Sequence, residues 1–333
     1  MKGIKVGEGI ISAIGNTPLV HLSMLNPAYK VNLYGKMEGL NPGGSIKDRT
    51  ANSIITEAIN SGRLRKGSTV IESSSGNMAI GLAQLCLFYG FRLIVVVDSL
   101  INKQTLKILK AYGATVDLVN PGINESNLEA RLRRVTELMD IVDNGFWPNQ
   151  YANISNPEAH ISTISEIVEA LDGKLEYLFA ATSTCGTIMG CASHLRHMKI
   201  GTKIVAVDAK GSMIFNDEKA NRLIPGHGAG RKSELLDLRL IDQVVHISDR
   251  ECVIGCHQLL NREAILAGGS SGAIVMAVQK LLPEIPEGSN CALILCDSGE
   301  RYLDTVYNPE WVGAHFGNIH DQQDNLESPV YVR

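Results

Sequence analysis

Apolar positions along this chain recur with two alternating periods, one of helices and one of strands, and the alternation is the main fold signal. Residues 31–37 read as a strand, and residues 50–59 as a helix ended by Ser61-Gly62. A short strand over 68–72 leads through a polar turn, Ser73-Ser74-Ser75-Gly76-Asn77, into an apolar helix over 78–89 that stops at Gly90. Residues 91–97 form an apolar, β-branched run of the kind buried on both faces of a parallel sheet. A helix over 105–112 closed by Gly113, a strand over 115–119 and an amphipathic helix over 125–139 follow. The second half repeats the style. Helices are predicted over 162–171, 188–197, 251–261 and 272–282, and strands over 177–181, 203–208 and 291–296. Strand–helix alternation of this kind predicts open α/β sheets. A length of 333 residues predicts two lobes rather than one. The polar, turn-rich stretch over 149–156 suits a crossing between them, and the polar segment after Phe316 suits a loose tail.

Composition narrows the partners more than the chemistry. A net charge of −4 with no basic block carries no signal for nucleic acid or a membrane surface. No apolar run reaches transmembrane length, and the first residues lack a signal-peptide core, so a cytoplasmic protein is expected. Seven cysteines without close metal-type pairs point to a reducing compartment. Cys252 and Cys256 stand four apart and read as two buried thiols rather than half a metal site, so no metal is expected.

Candidate chemistry lies in the turns, because open parallel sheets bind ligands at the carboxyl ends of their strands. Lys47 follows a Pro42-Gly43-Gly44 turn and opens a helix. It is either a surface lysine at a loop–helix junction or, if buried, a base or Schiff-base amine of lowered pKa. Thr182-Ser183-Thr184-Cys185-Gly186-Thr187 places hydroxyls and a glycine at a helix start, which suits an anion such as phosphate or a simple N-cap. It lacks the Gly-Lys-Ser/Thr ending of a Walker loop, and no Gly-x-Gly-x-x-Gly fingerprint is present. Ser74-Ser75-Gly76-Asn77 can cradle a carboxylate by the same physics. Gly268-Gly269-Ser270-Ser271-Gly272 allows close backbone approach with a hydroxyl on offer.

Taken in register, these four stretches resemble the fold-type II pyridoxal-phosphate enzymes, in particular the cysteine synthase and cystathionine β-synthase group. The matching motifs run from Gly15-Asn16-Thr17-Pro18-Leu19-Val20 to Ser298-Gly299-Glu300-Arg301-Tyr302-Leu303, nearly the whole chain. The resemblance implies two mostly parallel α/β lobes with pyridoxal 5'-phosphate in the cleft between them. It implies a larger cofactor-binding domain (residues 1–40 and 151–325), a smaller, mobile substrate-carboxylate domain (residues 41–150) and a flexible tail (residues 326–333). A homodimer acting on small amino acids is implied as well. Lys47 is then the Schiff-base lysine and the catalytic base. Ser183, Thr184, Cys185, Gly186 and Thr187 hold the cofactor phosphate. Asn77 meets the phenolic oxygen and Ser270 the pyridine nitrogen. Ser74, Ser75, Gly76 and Asn77, with Gln150, hold the substrate α-carboxylate. A neutral serine leaves the ring a weaker electron sink than a carboxylate would, which suits β-replacement through an aminoacrylate.

The chain departs from the common pattern at Ser183 and Cys185, where the phosphate turn is usually glycine-rich, and at Met78 and Cys296. Neither a haem domain nor a regulatory domain pair is expected around the matching stretch, which weakens cystathionine β-synthase. Several departures, with Asn149-Gln150-Tyr151-Ala152-Asn153 and the stretch from Val205 to Ser212, are similar to the N-(2-amino-2-carboxyethyl)-L-glutamate synthases of the siderophore (2,3-diaminopropionate) branch. That branch implies O-phospho-L-serine and L-glutamate as substrates, with cations and donors to hold their anionic groups. Arg131 is the candidate cation, against the alternative of a solvated helix face shared with Arg133 and Arg134, and Tyr151 and Ser183 are candidate polar contacts. The alternatives are a cysteine synthase using sulfide and a non-catalytic, cofactor-bound sensor or partner-binding subunit.

Overall fold

The structure is a computed structural model that describes residues 7–28, 30–123, 125–215 and 218–319. In chain order its first half runs β1 (Leu19–His21), β2 (Asn32–Met37), α1 (Lys47–Asn60), β3 (Thr69–Ser73), α2 (Asn77–Tyr89), β4 (Arg92–Val97), α3 (Lys103–Ala111), β5 (Thr115–Leu118), α4 (Asn127–Ile141) and β6 (Gly145–Phe146). The second half runs α5 (Ser155–Ala170), β7 (Tyr177–Ala181), α6 (Gly186–His197), β8 (Lys203–Ala209), β9 (Gln243–Ile247), α7 (Asp249–Glu263), α8 (Gly269–Leu281), β10 (Asn290–Leu295) and α9 (Pro309–Phe316). The tail expected over 326–333 lies outside the described residues.

The strands sort into two sheets, ordered β1-β2-β10-β7-β8-β9 and β5-β4-β3-β6. Every named pairing is parallel except β1 with β2. The parallel α/β expectation is therefore met. In the larger sheet, Leu178, Ala180, Ile204 and Ile294 pack against α5 and α6. Phe179, Val205 and Leu293 alternate to the other face, against α7 and α8. That is the period of two a strand imposes, with both faces covered. The smaller sheet repeats the scheme. Val70, Val95 and Val97 face α1 and α2, whereas Ile71 and Val96 face α4.

Differences from the predicted elements have local causes. The α4 helix starts at Asn127 because Ser126 and Glu129 form a reciprocal capping box. The α5 helix starts at Ser155, seven residues before the predicted 162, because Pro157 falls in its first turn, where no helical N–H is needed. Lys47, Gly186 and Gly269 each begin a helix rather than precede one. Strands β1, β6 and β9 are too short or too irregular in pattern to be read. Cys252 and Cys256 are buried on α7 within the main core, and all seven cysteines are free. Among the described residues, no helix is long and apolar enough to cross a membrane.

Candidate active site

The carboxyl ends of β3 and β7 lead into two of the turns singled out in the sequence, the Gly268–Gly272 turn lies between α7 and α8, and α1 packs against α2 and α5. Gly44 takes φ +83°, a left-handed conformation that favours glycine. The Gly43 N–H donates to Asp48 Oδ2 at 2.6 Å, which ties the turn to the first turn of α1. Burial pushes the Asp48 carboxyl up to about 7. The Ile46 N–H donates to the Cys296 carbonyl at 2.8 Å, so the start of α1 is pinned to the end of β10. One turn on, Arg49 makes a two-pronged contact with Glu38, at 2.8 and 2.9 Å, and also reaches Glu166 at 2.8 Å. Buried charges held this way fix the helix in rotation and depth.

Lys47 is the first residue of α1, with a buried amine. Burial lowers its amine pKa, and nearby Cys296, Asp297 and Cys185 raise it by less. Those neighbours come from the end of β10 and the start of α6. The lowering favours the free amine, the form that serves as nucleophile or base.

The turn from Thr182 to Thr187 enters α6. Cys185 sits at φ +64°, and a Cβ on Gly186 would come within 2.0 Å of Asn156 Oδ1. The Thr184 hydroxyl accepts from Asn156 Nδ2 at 3.0 Å, and Thr187 Oγ1 lies 3.3 Å from His160 Nε2. His160 is also 3.2 Å from Thr50 on α1, so one buried imidazole joins the turn to the lysine helix. Burial holds His160 well below its ordinary pKa, and the charges of Lys47 and Arg49 act the same way. The threonine side chains are thus engaged within the protein, while the first-turn N–H groups of α6 and the half-buried Ser183 hydroxyl stand at a helix start of the kind that suits an anion.

The Ser74–Asn77 turn opens α2, and a Cβ on Gly76 would meet no atom within 4 Å. Glu72 just before it is buried, accepts from Trp147 Nε1 at 3.2 Å and from the Ser73 N–H at 2.8 Å, and is pushed up to about 7 by burial. The Gln150 carbonyl accepts from Asn156 Nδ2 at 2.7 Å, and Asn156 in turn reaches Thr184 of the turn before α6. Arg131 lies 3.5 Å from Ser75 Oγ and 3.0 Å from Asp98 Oδ2, half-buried, whereas Arg133 and Arg134 pair with Glu125, Glu137 and Asp117 on the outer face. Of the three arginines only Arg131 reaches the turn.

Asn77 donates to Asp297 Oδ2 at 2.8 Å and accepts from an Arg301 N–H at 2.6 Å. Its amide keeps a second hydrogen for a further acceptor. Tyr302 donates to the same Asp297 oxygen at 2.6 Å. Ser270 is buried in the first turn of α8 and hydrogen-bonds the Cys296 thiol. Sequence reasoning passed over four residues of this site: Glu72, Arg231, Asp297 and Arg301. Arg231 stacks its guanidinium 4.4 Å from the Tyr151 ring centre. Its only sequence signal was a charge directly after Gly228-Ala229-Gly230.

The chain matches the family model "Pyridoxal-phosphate dependent enzyme" over residues 10–297. Among solved structures it resembles O-acetylserine sulfhydrylase isoform 3 of Entamoeba histolytica (31% identity, TM-score 0.87, 96% of each chain covered). It also resembles the O-acetylserine-dependent cystathionine β-synthase of Helicobacter pylori (30%, TM-score 0.84, covering 92% of this chain and 100% of that one). O-ureido-L-serine synthase matches at 29% identity and TM-score 0.86, over 97% of this chain and 100% of that one. The site suits the cofactor these families imply. A desolvated amine, a helix start with an added hydroxyl and the space beside Gly76 together fit a phosphorylated aldehyde. The chain belongs to the pyridoxal-phosphate-dependent enzymes, in the fold-type II group of the cysteine synthase and cystathionine β-synthase type.

Proposed function

We propose that the protein catalyses β-replacement on an O-activated L-serine, joining O-phospho-L-serine to L-glutamate with release of phosphate. The product is N-(2-amino-2-carboxyethyl)-L-glutamate. In this reading pyridoxal phosphate, held by Lys47 and the Ser183–Thr187 turn, supplies the electron sink that makes the donor's α-proton acidic. Lys47 removes that proton, and its lowered pKa suits a base working near neutrality. Ser74, Ser75, Gly76 and Asn77, with Gln150, hold the donor's α-carboxylate. Asn77 and Ser270 would hold the ring by hydrogen bonds. The donor loses its Cα–H and Cβ–O bonds and phosphate leaves with the bonding pair; the glutamate nitrogen then forms the new bond to Cβ and gives up a proton, and Lys47 returns a proton to Cα.

The observation that carries the phosphate donor is the placement of Arg131 against Ser75. A half-buried guanidinium at the carboxylate turn offers charge-assisted donors to a phosphate that an acetyl group could not use. The lobes divide in this reading into residues 1–40 and 151–325, which hold the cofactor, and residues 41–150, which close over the substrate. Asn77 Nδ2 to Asp297 and Asn102 Nδ2 to the Arg301 carbonyl (3.1 Å) are contacts that such closure would make and break. Assembly as a homodimer belongs to the same reading, and sedimentation equilibrium tests it. Incubation with O-phosphoserine and glutamate, followed by phosphate assay and mass spectrometry, tests the reaction. Cysteine formation from sulfide, the second reading, is favoured by the O-acetylserine-using relatives. It is tested in the same assay by exchanging the nucleophile.

A further inference from the structure

We propose that Arg231 is a specificity-determining residue that receives a carboxylate carried by the incoming nucleophile. The inference rests on the acidic-nucleophile reading above. Four buried polar atoms around one turn have no hydrogen-bond partner among the described residues: Glu72 Oε2, Ser73 Oγ, Arg131 Nε and Arg231 Nε. Buried donors and acceptors are costly to leave unmatched, so a cluster of them around one turn points to a polar ligand that completes the bonding.

Arg231 is held in place rather than waving from a loop. Two residues on, the Ser233 hydroxyl donates to the Thr184 carbonyl at 2.6 Å, which anchors the segment to the phosphate turn. Its guanidinium carbon lies 4.4 Å from the centre of the Tyr151 ring, a cation–π contact for which arginine and lysine are not interchangeable. A Cβ on the preceding Gly230 would lie 3.8 Å from Leu128 on α4, the helix that carries Arg131. The segment between β8 and β9 thus carries a second guanidinium from the larger sheet to the wall where Arg131 already sits.

The two arginines are not equivalent. Arg131 has a carboxylate partner in Asp98 at 3.0 Å and leans on the turn that would hold the donor. Arg231 faces Glu72, whose carboxyl burial drives toward the neutral form, so its charge is less offset. With Arg131 taken up by the donor's turn, Arg231, against Tyr151, is left for the nucleophile. A leaving phosphate shares the same anionic-oxygen chemistry, and the two sources separate in the two halves of the reaction.

The test uses cofactor-loaded enzyme and the variants Arg231→Gln, Arg231→Lys and, as a charge-matched control on the exposed surface, Arg239→Gln. The donor arm titrates O-phosphoserine alone and follows the cofactor absorbance. The nucleophile arm measures KM and kcat for L-glutamate, L-aspartate, L-glutamine and sulfide. The expected result is a rise in KM for glutamate of roughly ten- to hundredfold in Arg231→Gln, with a smaller rise in Arg231→Lys. Sulfide and the O-phosphoserine midpoint shift by less than about threefold, and Arg239→Gln resembles wild type. An effect confined to the O-phosphoserine titration would overturn the assignment by moving Arg231 to the phosphate. Equal loss with every nucleophile would overturn it too. If wild-type enzyme prefers a different acidic nucleophile and Arg231→Gln abolishes that preference, the glutamate reading fails and the role of Arg231 stands. If wild type uses glutamate and Arg231→Gln does not alter it, the reverse holds.

Discussion

Lys47 shows how a residue's chemistry is set by what packs around it. In isolation a lysine after Pro-Gly-Gly is ambiguous, and only burial against Cys296, Asp297 and Cys185 decides its state. Lys47→Ala is expected to remove the cofactor's protein-bound absorbance and to lower turnover at least about a hundredfold. Absorbance spectra and phosphate release check both. A variant that kept its biological effect without turnover would favour the sensor alternative. Glu72 makes a prediction with a sign. Its folded pKa, about 7, lies above the ordinary carboxylate value, so ionisation costs stability in the folded state. That cost is absent below the ordinary range and grows as pH rises through about 7. Glu72→Gln should therefore gain stability over wild type between pH ~4.5 and ~7, by at most about 3 kcal/mol, read from urea unfolding at several pH values. Glu72 was illegible in the sequence because its burial comes from Trp147 and Gln150, more than seventy residues away.

At the scale of elements, the helix starts were legible and their first residues were not. Hydroxyl- and glycine-rich turns announced where α2, α6 and α8 begin. The glycines at the turn are set by close approach, which a sequence does not display. Gly186 is the clearest case, because a side chain there would collide with Asn156, which also bonds the Gln150 carbonyl and Thr184. Gly186→Ala should cost about 1–3 kcal/mol of stability and weaken cofactor retention. Denaturant unfolding and dialysis against cofactor-free buffer read the two effects separately. Cys185 at positive φ is the converse, a non-glycine residue in a conformation that favours glycine.

For the whole molecule, the doubly covered parallel sheets were predictable from apolar runs and intervening amphipathic segments. The long-range contacts were not, since pairs such as Asn77 with Asp297 and Arg49 with Glu166 join distant parts of the chain. Such contacts bring the end of β10 to Lys47 and to the Ser74–Asn77 turn, against which Arg131 leans. The central claim is that this site couples a phosphorylated serine to an amino-acid amine. Its most direct test is one reaction: cofactor-loaded enzyme, O-phospho-L-serine and L-glutamate, assayed for phosphate and by mass spectrometry. The account predicts stoichiometric phosphate and one new species with the mass of N-(2-amino-2-carboxyethyl)-L-glutamate. Absence of that species, with rapid cysteine formation once sulfide is supplied, would contradict it.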